Sequence, residues 1–419
     1  MAPWYQTATV RYDAIIAGAG PAGAAVAARL AQHGRGGRIL VLDRYRFPRE
    51  KPCGGALTGH ADGAMAALDL ELRVASAACW EAGVRFGNFQ RTVRMGRAVR
   101  VIRREEFDAD LVAQVRARGV EVVEAEGVAD YAAFDDRVAV TTTRGRALEA
   151  EVLVGADGAA SVVRKRLGGG GGGRGRGGAD RALPHRLFQL ELPAGAGADP
   201  PMLYDFTPMA RGLRGYLWIF PVPGGRQNLG LMHYPSAGAR RGGRELVDLL
   251  GRGLAEHGIA LPERAARGWP AWGYQPSRPV SAPRVLTVGD AAGIDGLTGE
   301  GIAVAMEQAI IAGDWIDRGL RDRALGFAGF RRALRRAVVG RELALDRHLA
   351  GMLYDSRRWR SWLALVLYDP DVIEMYARRV DGTEVLADQK GRLMRALMRH
   401  VGKSGSRRRQ LAAEEASLL

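Results

Sequence analysis

Three glycines, a few carboxylates and one thiol carry the chemistry legible in this sequence. Gly18, Gly20 and Gly23 form a G-x-G-x-x-G turn that contains Ala22, and Asp43 follows twenty residues after Gly23. Glycines at this spacing permit a tight turn, let the backbone approach a pyrophosphate and allow close helix packing. The phosphates then sit on the positive end of the next helix. An acid at the distance of Asp43 suits a ribose 2′-hydroxyl and argues against a 2′-phosphate, which selects FAD or NAD over NADP. Arg44, beside it, joins the candidate nucleotide-binding residues.

The elements needed to position this turn are present. Ala14 to Ala17 reads as a strand, the Ala-rich stretch to about Gln32 as a helix, and Arg38 to Asp43 as a second strand after the break at Gly34 to Gly37. That is one complete βαβ unit, the context that turns a weak motif into a specific one. Arg103 to Arg118 reads as a helix, and Val120 to Glu124 and Arg137 to Thr143 as strands. Leu187 to Leu192, Tyr216 to Phe220 and Asn228 to Tyr234 read as a second, antiparallel sheet. Arg284 to Val288 returns as a buried strand before a helix from about Gly299 to Gly319, and the rest is helical in pattern. Gly168 to Gly178, nine glycines with Arg174 and Arg176, reads as a low-complexity surface loop with solvated arginines.

Further clusters lie at the ends of these elements. Val154-Gly-Ala-Asp157-Gly158 and Val288-Gly289-Asp290-Ala-Ala-Gly293 both close strands with a Gly-Asp turn or its variant. Lys51-Pro52-Cys53-Gly54-Gly55 follows the second strand, and a thiol there is reactive only if its surroundings favour the thiolate. Cys79 reads as a packing residue in an Ala-rich helix, His60 as surface or satisfied core, and the histidines show no metal-ligand spacing.

Composition narrows the remaining classes. A chain of 419 residues with 47% hydrophobic and 26% charged residues is globular and longer than one simple domain. Two cysteines are too few for a disulfide framework, which points to the cytoplasm. No apolar run reaches the length of a membrane span or reads as a signal peptide. The net charge of +15 rests almost wholly on arginine, with four lysines, and no base-reading motif accompanies it, so nucleic acid is not the expected partner. Residues 320–419 carry +9 of that charge. A solvated helical face is the expected reading, with peripheral contact to an anionic membrane or to an acidic partner as the alternative.

Five ordered motifs between about Tyr12 and Gly319 resemble the geranylgeranyl reductase family of FAD-dependent oxidoreductases, within the p-hydroxybenzoate hydroxylase-like flavoproteins. The K-P-C-G-G loop and Tyr216-Leu-Trp218-Ile-Phe220-Pro221, with Gly230 nine residues on, select this branch. The resemblance implies FAD, with Asp290 on the ribityl chain, Arg104 of Arg104-Glu-Glu-Phe107-Asp108 against the cofactor, and the helix start at Gly301-Ile302 facing the flavin ring. Gly289, Asp157, Pro52 and Gly54 join the cofactor-binding set. Tyr216, Trp218 and Phe220 would line the substrate site, and Cys53 would be the acid or position it. One departure stands out: Ile294-Asp295-Gly296-Leu297 lacks the family's usual proline, and the family's loop often has one more residue, which predicts a shifted ring or a wider front pocket here.

The expected fold is α/β: a Rossmann-like FAD-binding domain over residues 1–185, with a small insertion near 75–100, then an antiparallel β-sheet substrate domain over 186–280. Residues 281–319 return to the first domain, and 320–419 form a helical C-terminal region. The expected function is reduction of carbon–carbon double bonds in a prenyl lipid or another unsaturated hydrophobic metabolite. NAD(P)H or a ferredoxin-like protein would supply the electrons. A monooxygenase or halogenase is the alternative, since halogenases of a neighbouring branch carry W-x-W-x-I-P, and a non-catalytic flavin- or lipid-binding module is a third reading.

Overall fold

A computed structural model describes residues 11–167, 184–194, 201–234, 241–263 and 266–416. The stretch 168–178 and its two arginines lie outside the described residues.

The chain opens as foreseen, with β1 (Arg11–Ala17), α1 (Pro21–Gln32) and β2 (Ile39–Leu42). Next come β3 (Ala56–Leu57), α2 (Gly59–Ala67) and the long hairpin of β4 (Ser76–Phe86) and β5 (Phe89–Ile102). Helix α3 (Arg104–Arg116) leads to β6 (Glu121–Val123), β7 (Val128–Ala133), β8 (Val138–Thr142), β9 (Ala147–Gly155) and α4 (Val162–Leu167). The second sheet continues with β10 (His185–Pro193), β11 (Met202–Asp205), β12 (Gly215–Val222) and β13 (Arg226–His233), then α5 (Gly243–Ala255) and β14 (Arg267–Ala271). Strands β15 (Ser281–Ala282) and β16 (Val285–Thr287) precede α6 (Ile302–Asp322). Five helices follow: α7 (Phe330–Arg336), α8 (Val338–Ala350), α9 (Trp359–Tyr368), α10 (Pro370–Val380) and α11 (Lys390–Ala416).

Strands β16, β9, β1, β2 and β6 pair in parallel, with the antiparallel strands β8 and β7 branching from β9. Burial on both faces explains why β1 and β2 read as unbroken apolar runs rather than alternating ones. One face packs against α1, α3 and α6, whose alanines let backbones approach closely. β9 returns to pair with β1, and β16 to pair with β9, from far along the chain, so this sheet is assembled from discontinuous segments.

The second sheet runs β14-β10-β13-β12-β11-β4-β5-β3 and is antiparallel except where β11 meets β4. The segment near 75–100 thus forms the two longest strands of this sheet. Cys79 lies in β4, correcting its helical reading: its alanine neighbours alternate between faces as strand residues, and the thiol is buried as expected. Alternation also divides β12. Leu217 and Ile219 pack under α5, while Tyr216, Trp218 and Phe220 face the opposite side, towards the C-terminal helices.

Candidate active site

One cavity of about 390 Å³ runs between the two sheets. Its nucleotide end begins at the turn after β1. Gly18 has φ +97°, and a Cβ there would strike the Ala156 carbonyl, so only glycine fits. Asp43 is held at the end of β2: Oδ2 accepts from the Ala19 N–H at 2.8 Å and Oδ1 from the Tyr45 N–H at 2.9 Å. Gly20, Ala22 and Arg44 line the same end, which opens on the start of α1. Two expected residues lie behind the wall instead of on it. Gly23 is pressed against the Gly18 carbonyl, and Gly289 leaves room for Ala22, whose Cβ would lie 2.8 Å from one built on Gly289. These are packing glycines; they let the first and last motifs touch.

Arg104 reaches the cavity from the first turn of α3 and is gripped bidentately by Asp108 one turn later, at 2.8 and 2.9 Å. Asp108 is fully buried and also pairs with Arg49 at 3.2 Å. Burial works against the Arg104 charge, but Asp108 and the neighbouring Cys53 thiol outweigh it and hold the guanidinium firmly protonated. Lys51 lies 3.5 Å from Asp290 and over the Trp269 ring. Its pKa is pushed down by burial, with Asp290 partly offsetting. Gln308 of α6 accepts from the Gly289 N–H at 2.8 Å and so fixes the turn that carries Asp290. Asp157 lines the cavity, but its Oδ2 accepts from the backbone N–H of Val162 at the start of α4, and its Oδ1 is buried without a hydrogen-bond partner.

The opposite end is apolar and aromatic. Tyr216, Trp218 and Phe220 line it beside Pro52, Cys53 and Gly54, with Gly301 and Ile302 of α6 closing the far wall. Gly54 packs against the Phe220 ring, 3.0 Å from where a Cβ would stand. Asn228, which sequence reading missed, ties the two motifs together: Oδ1 accepts from Trp218 Nε1 at 2.9 Å, and Nδ2 donates to the Cys53 carbonyl at 2.7 Å. A buried asparagine two residues before Gly230 was the available signal. The Cys53 Sγ accepts from the Gly55 N–H at 3.4 Å.

The shortened loop is stiffened from within. Asp295, 1% exposed, accepts from the Leu297 N–H at 2.5 Å, the Thr298 N–H at 2.9 Å and Thr298 Oγ1 at 2.8 Å. Tyr216 donates its hydroxyl to the Thr298 carbonyl, and Tyr376 donates to Thr298 Oγ1 at 2.6 Å. Tyr376 and Val380 come from α10, so the C-terminal region, where no motif stood, supplies part of the cavity wall. Glu300 also lines it and accepts from the Thr58 hydroxyl. His60 lies outside the cavity lining, with Nδ1 3.3 Å from Glu307.

Residues 11–179 match the FAD binding domain family. The chain is 29% identical to menaquinone reductase of Mycobacterium tuberculosis over 73% of this chain and 76% of that protein. Its fold is that of a geranylgeranyl bacteriochlorophyll reductase-like protein from Thermoplasma acidophilum, with TM-score 0.71, 17% identity and coverage of 91% and 99% of the two chains. The flavin-dependent halogenase CmlS shares the fold, with TM-score 0.67, 21% identity and coverage of 95% of this chain and 78% of that one.

With an FAD binding domain over residues 11–179, the protein is an FAD-dependent oxidoreductase. The resemblance to geranylgeranyl reductases, first legible in five motifs, holds for this chain, and its cofactor is FAD. The residues fit that group: glycine turns that a Cβ would block, an anchored Asp43 at the strand end, and a charged Arg104 facing the cavity.

Proposed function

We propose that the protein reduces carbon–carbon double bonds of a prenyl lipid or a similar unsaturated hydrophobic metabolite. The observation that carries this reading is the junction of the Cys53 loop with Trp218 through Asn228, which sets a thiol-bearing turn against an aromatic wall in the cofactor cavity. Asp43, Arg104 and Asp290 are the residues proposed to hold FAD, which when bound supplies the hydride. The chain's own residues bind and orient the substrate. Tyr216, Trp218 and Phe220 offer a water-poor surface that suits an isoprenoid, and Cys53 is the acid or the residue that positions it. A menaquinone reductase among the relatives supports a lipophilic, unsaturated substrate.

The test is anaerobic mixing of photoreduced holoprotein with geranylgeraniol, a prenyl chain with no quinone ring to accept the electrons, followed by absorbance of the reoxidised flavin and mass spectrometry of the lipid. The expected product is heavier by two hydrogens. The second reading, a monooxygenase or halogenase, is favoured by the fold shared with CmlS. It gains if the flavin reoxidises only with oxygen and the lipid stays unreduced.

Electrons would come from a transiently bound NAD(P)H or a ferredoxin-like protein, since among the described residues there is a single strand–G-x-G-x-x-G–helix unit. Among the described residues no helix is long and apolar enough to cross a membrane. Access to a lipid would instead be peripheral. On α11, Met394, Met398 and Val401 form an exposed apolar stripe at helical spacing, beside Arg395 and Arg399.

A further inference from the structure

Behind the loop of Thr298 and Glu300, several carboxyl groups crowd around one guanidinium. Arg379 of α10 is 2% exposed. Its Nη2 lies 2.6 Å from Asp346 Oδ2 and its Nε 2.7 Å from Glu342 Oε2, both on α8. Glu300 Oε2 is 3.7 Å from Nη2. Three ionised carboxylates around Arg379 would leave two negative charges in excess in a largely buried cluster, offset only in part by His60, whose pKa its bond to Glu307 raises. Like charges at such separations do not all ionise, so the group retains protons.

The surroundings decide where a proton rests. Glu342 Oε1 accepts the Ala387 N–H. Asp346 Oδ1 and Arg379 Nη1 are buried without hydrogen-bond partners, so neither fixes the cluster in a fully ionised state. Burial raises the pKa of Glu300 and of Asp346, against the opposing pull of Arg379 on both and of His60 and Thr58 on Glu300. Of the three carboxyls, Glu300 alone lines the cavity. The groups facing Glu300 are Thr58 before α2, His60 on α2, Asp295 in the loop, Tyr204 on β11 and Arg379 on α10.

We propose that Glu300 is the proton donor for double-bond reduction, with Arg379, Glu342 and Asp346 as positioning residues that keep a proton on it. This deepens the reductase reading and rests on it. With FAD bound as the hydride source, the substrate's π bond would be lost as one carbon took that hydride and the other took the Glu300 proton, so that two C–H bonds formed and Glu300 was left as the carboxylate. The Glu300 carboxylate then faces Arg379 and Thr58 until it recovers a proton from solvent. Cys53 keeps its positioning role in the loop that Asn228 anchors.

The test has two arms on FAD-loaded protein. In the first, infrared difference spectra on flavin photoreduction, without substrate, are compared for wild type and Glu300→Gln at pH 7. A protonated-carboxyl band that disappears in the variant is expected, and unchanged spectra in that region overturn the proposal. Glu342→Gln removes a negative charge near Glu300, so the band should persist to a less alkaline pH than in wild type; an unmoved titration removes the positioning role. In the second arm, anaerobic reoxidation by geranylgeraniol, which has no quinone ring, should slow roughly 10²- to 10⁴-fold in Glu300→Gln with FAD content unchanged. A wild-type rate in that variant overturns the proposal. If wild-type protein itself fails to reoxidise, the reductase reading fails while the infrared arm still decides whether Glu300 holds the proton.

Discussion

Gly230 lies directly across the ladder from Trp218, and the indole occupies the space that a side chain at position 230 would need. The Phe188 carbonyl closes the same space from the neighbouring strand. The glycine nine residues past Pro221 is therefore a steric partner of the aromatic signature, and it lets the Trp218 ring lie over the sheet.

Gly230→Ala should displace Trp218 and cost about 1–3 kcal/mol by overpacking. Urea unfolding would report the loss, and a shifted tryptophan emission would report the moved ring. An unchanged midpoint and spectrum would show that the indole has room to spare.

Asn228→Leu should remove both hydrogen bonds and leave the Trp218 N–H and the Cys53 carbonyl unpaired, at about 1–3 kcal/mol for each buried group. The Cys53 loop should loosen, so its labelling by a thiol reagent should accelerate several-fold. With Cys79 buried in β4, Cys53→Ala is the control that assigns the signal.

Asp290→Ala removes a carboxylate that faces the cavity and pairs with Lys51. Loss of a charge-assisted hydrogen bond of about 1.5–3 kcal/mol should weaken FAD roughly 10- to 100-fold. Fluorescence titration of the apoprotein with FAD measures it, and equal affinity in the variant would remove Asp290 from the binding set.

His185 is buried against Gly273 and Gly296 and stacks on Tyr234 at 4.7 Å. Burial lowers its pKa to about 4, with Asp295 opposing and His233 and Arg278 adding to the shift. The folded state favours neutral His185, so this contribution is complete above pH 6.5 and is lost as pH falls from 6.5 towards 4. The Tm of wild type should therefore drop more steeply across that window than the Tm of His185→Gln. Parallel curves would mean that the ring titrates as it does in the unfolded chain.

Holoprotein should sediment with vesicles containing phosphatidylglycerol and much less with pure phosphatidylcholine, because the apolar stripe of α11 is set among arginines. Met394→Glu with Met398→Glu should abolish the binding while leaving FAD content unaltered. Equal binding by the double variant would place the contact elsewhere.

The sequence by itself determined the local units. The strand–turn–helix at Gly18 to Gly23, the Gly-Asp turn at Gly289, and the alternation of Tyr216, Trp218 and Phe220 follow from periodicity and from what only glycine permits. These are short-range constraints, so they survive without knowledge of the fold. Cys79 shows their limit: an Ala-rich stretch satisfies helix and strand alike, and pairing with β5 decided for the strand. The proline-free loop shows another, for Asp295 supplies from its own side chain the hydrogen bonds that stiffen it. What only the tertiary structure decided is which distant groups share one space. Asn228 meets Cys53 across 175 positions, and Tyr376 and Arg379 arrive from a region that carried no motif. The crowding of carboxyls around Arg379 depends on α8, α10 and the Glu300 loop packing together. Electrostatic surplus of that kind is a property of distance and burial, and neither is written in the order of residues.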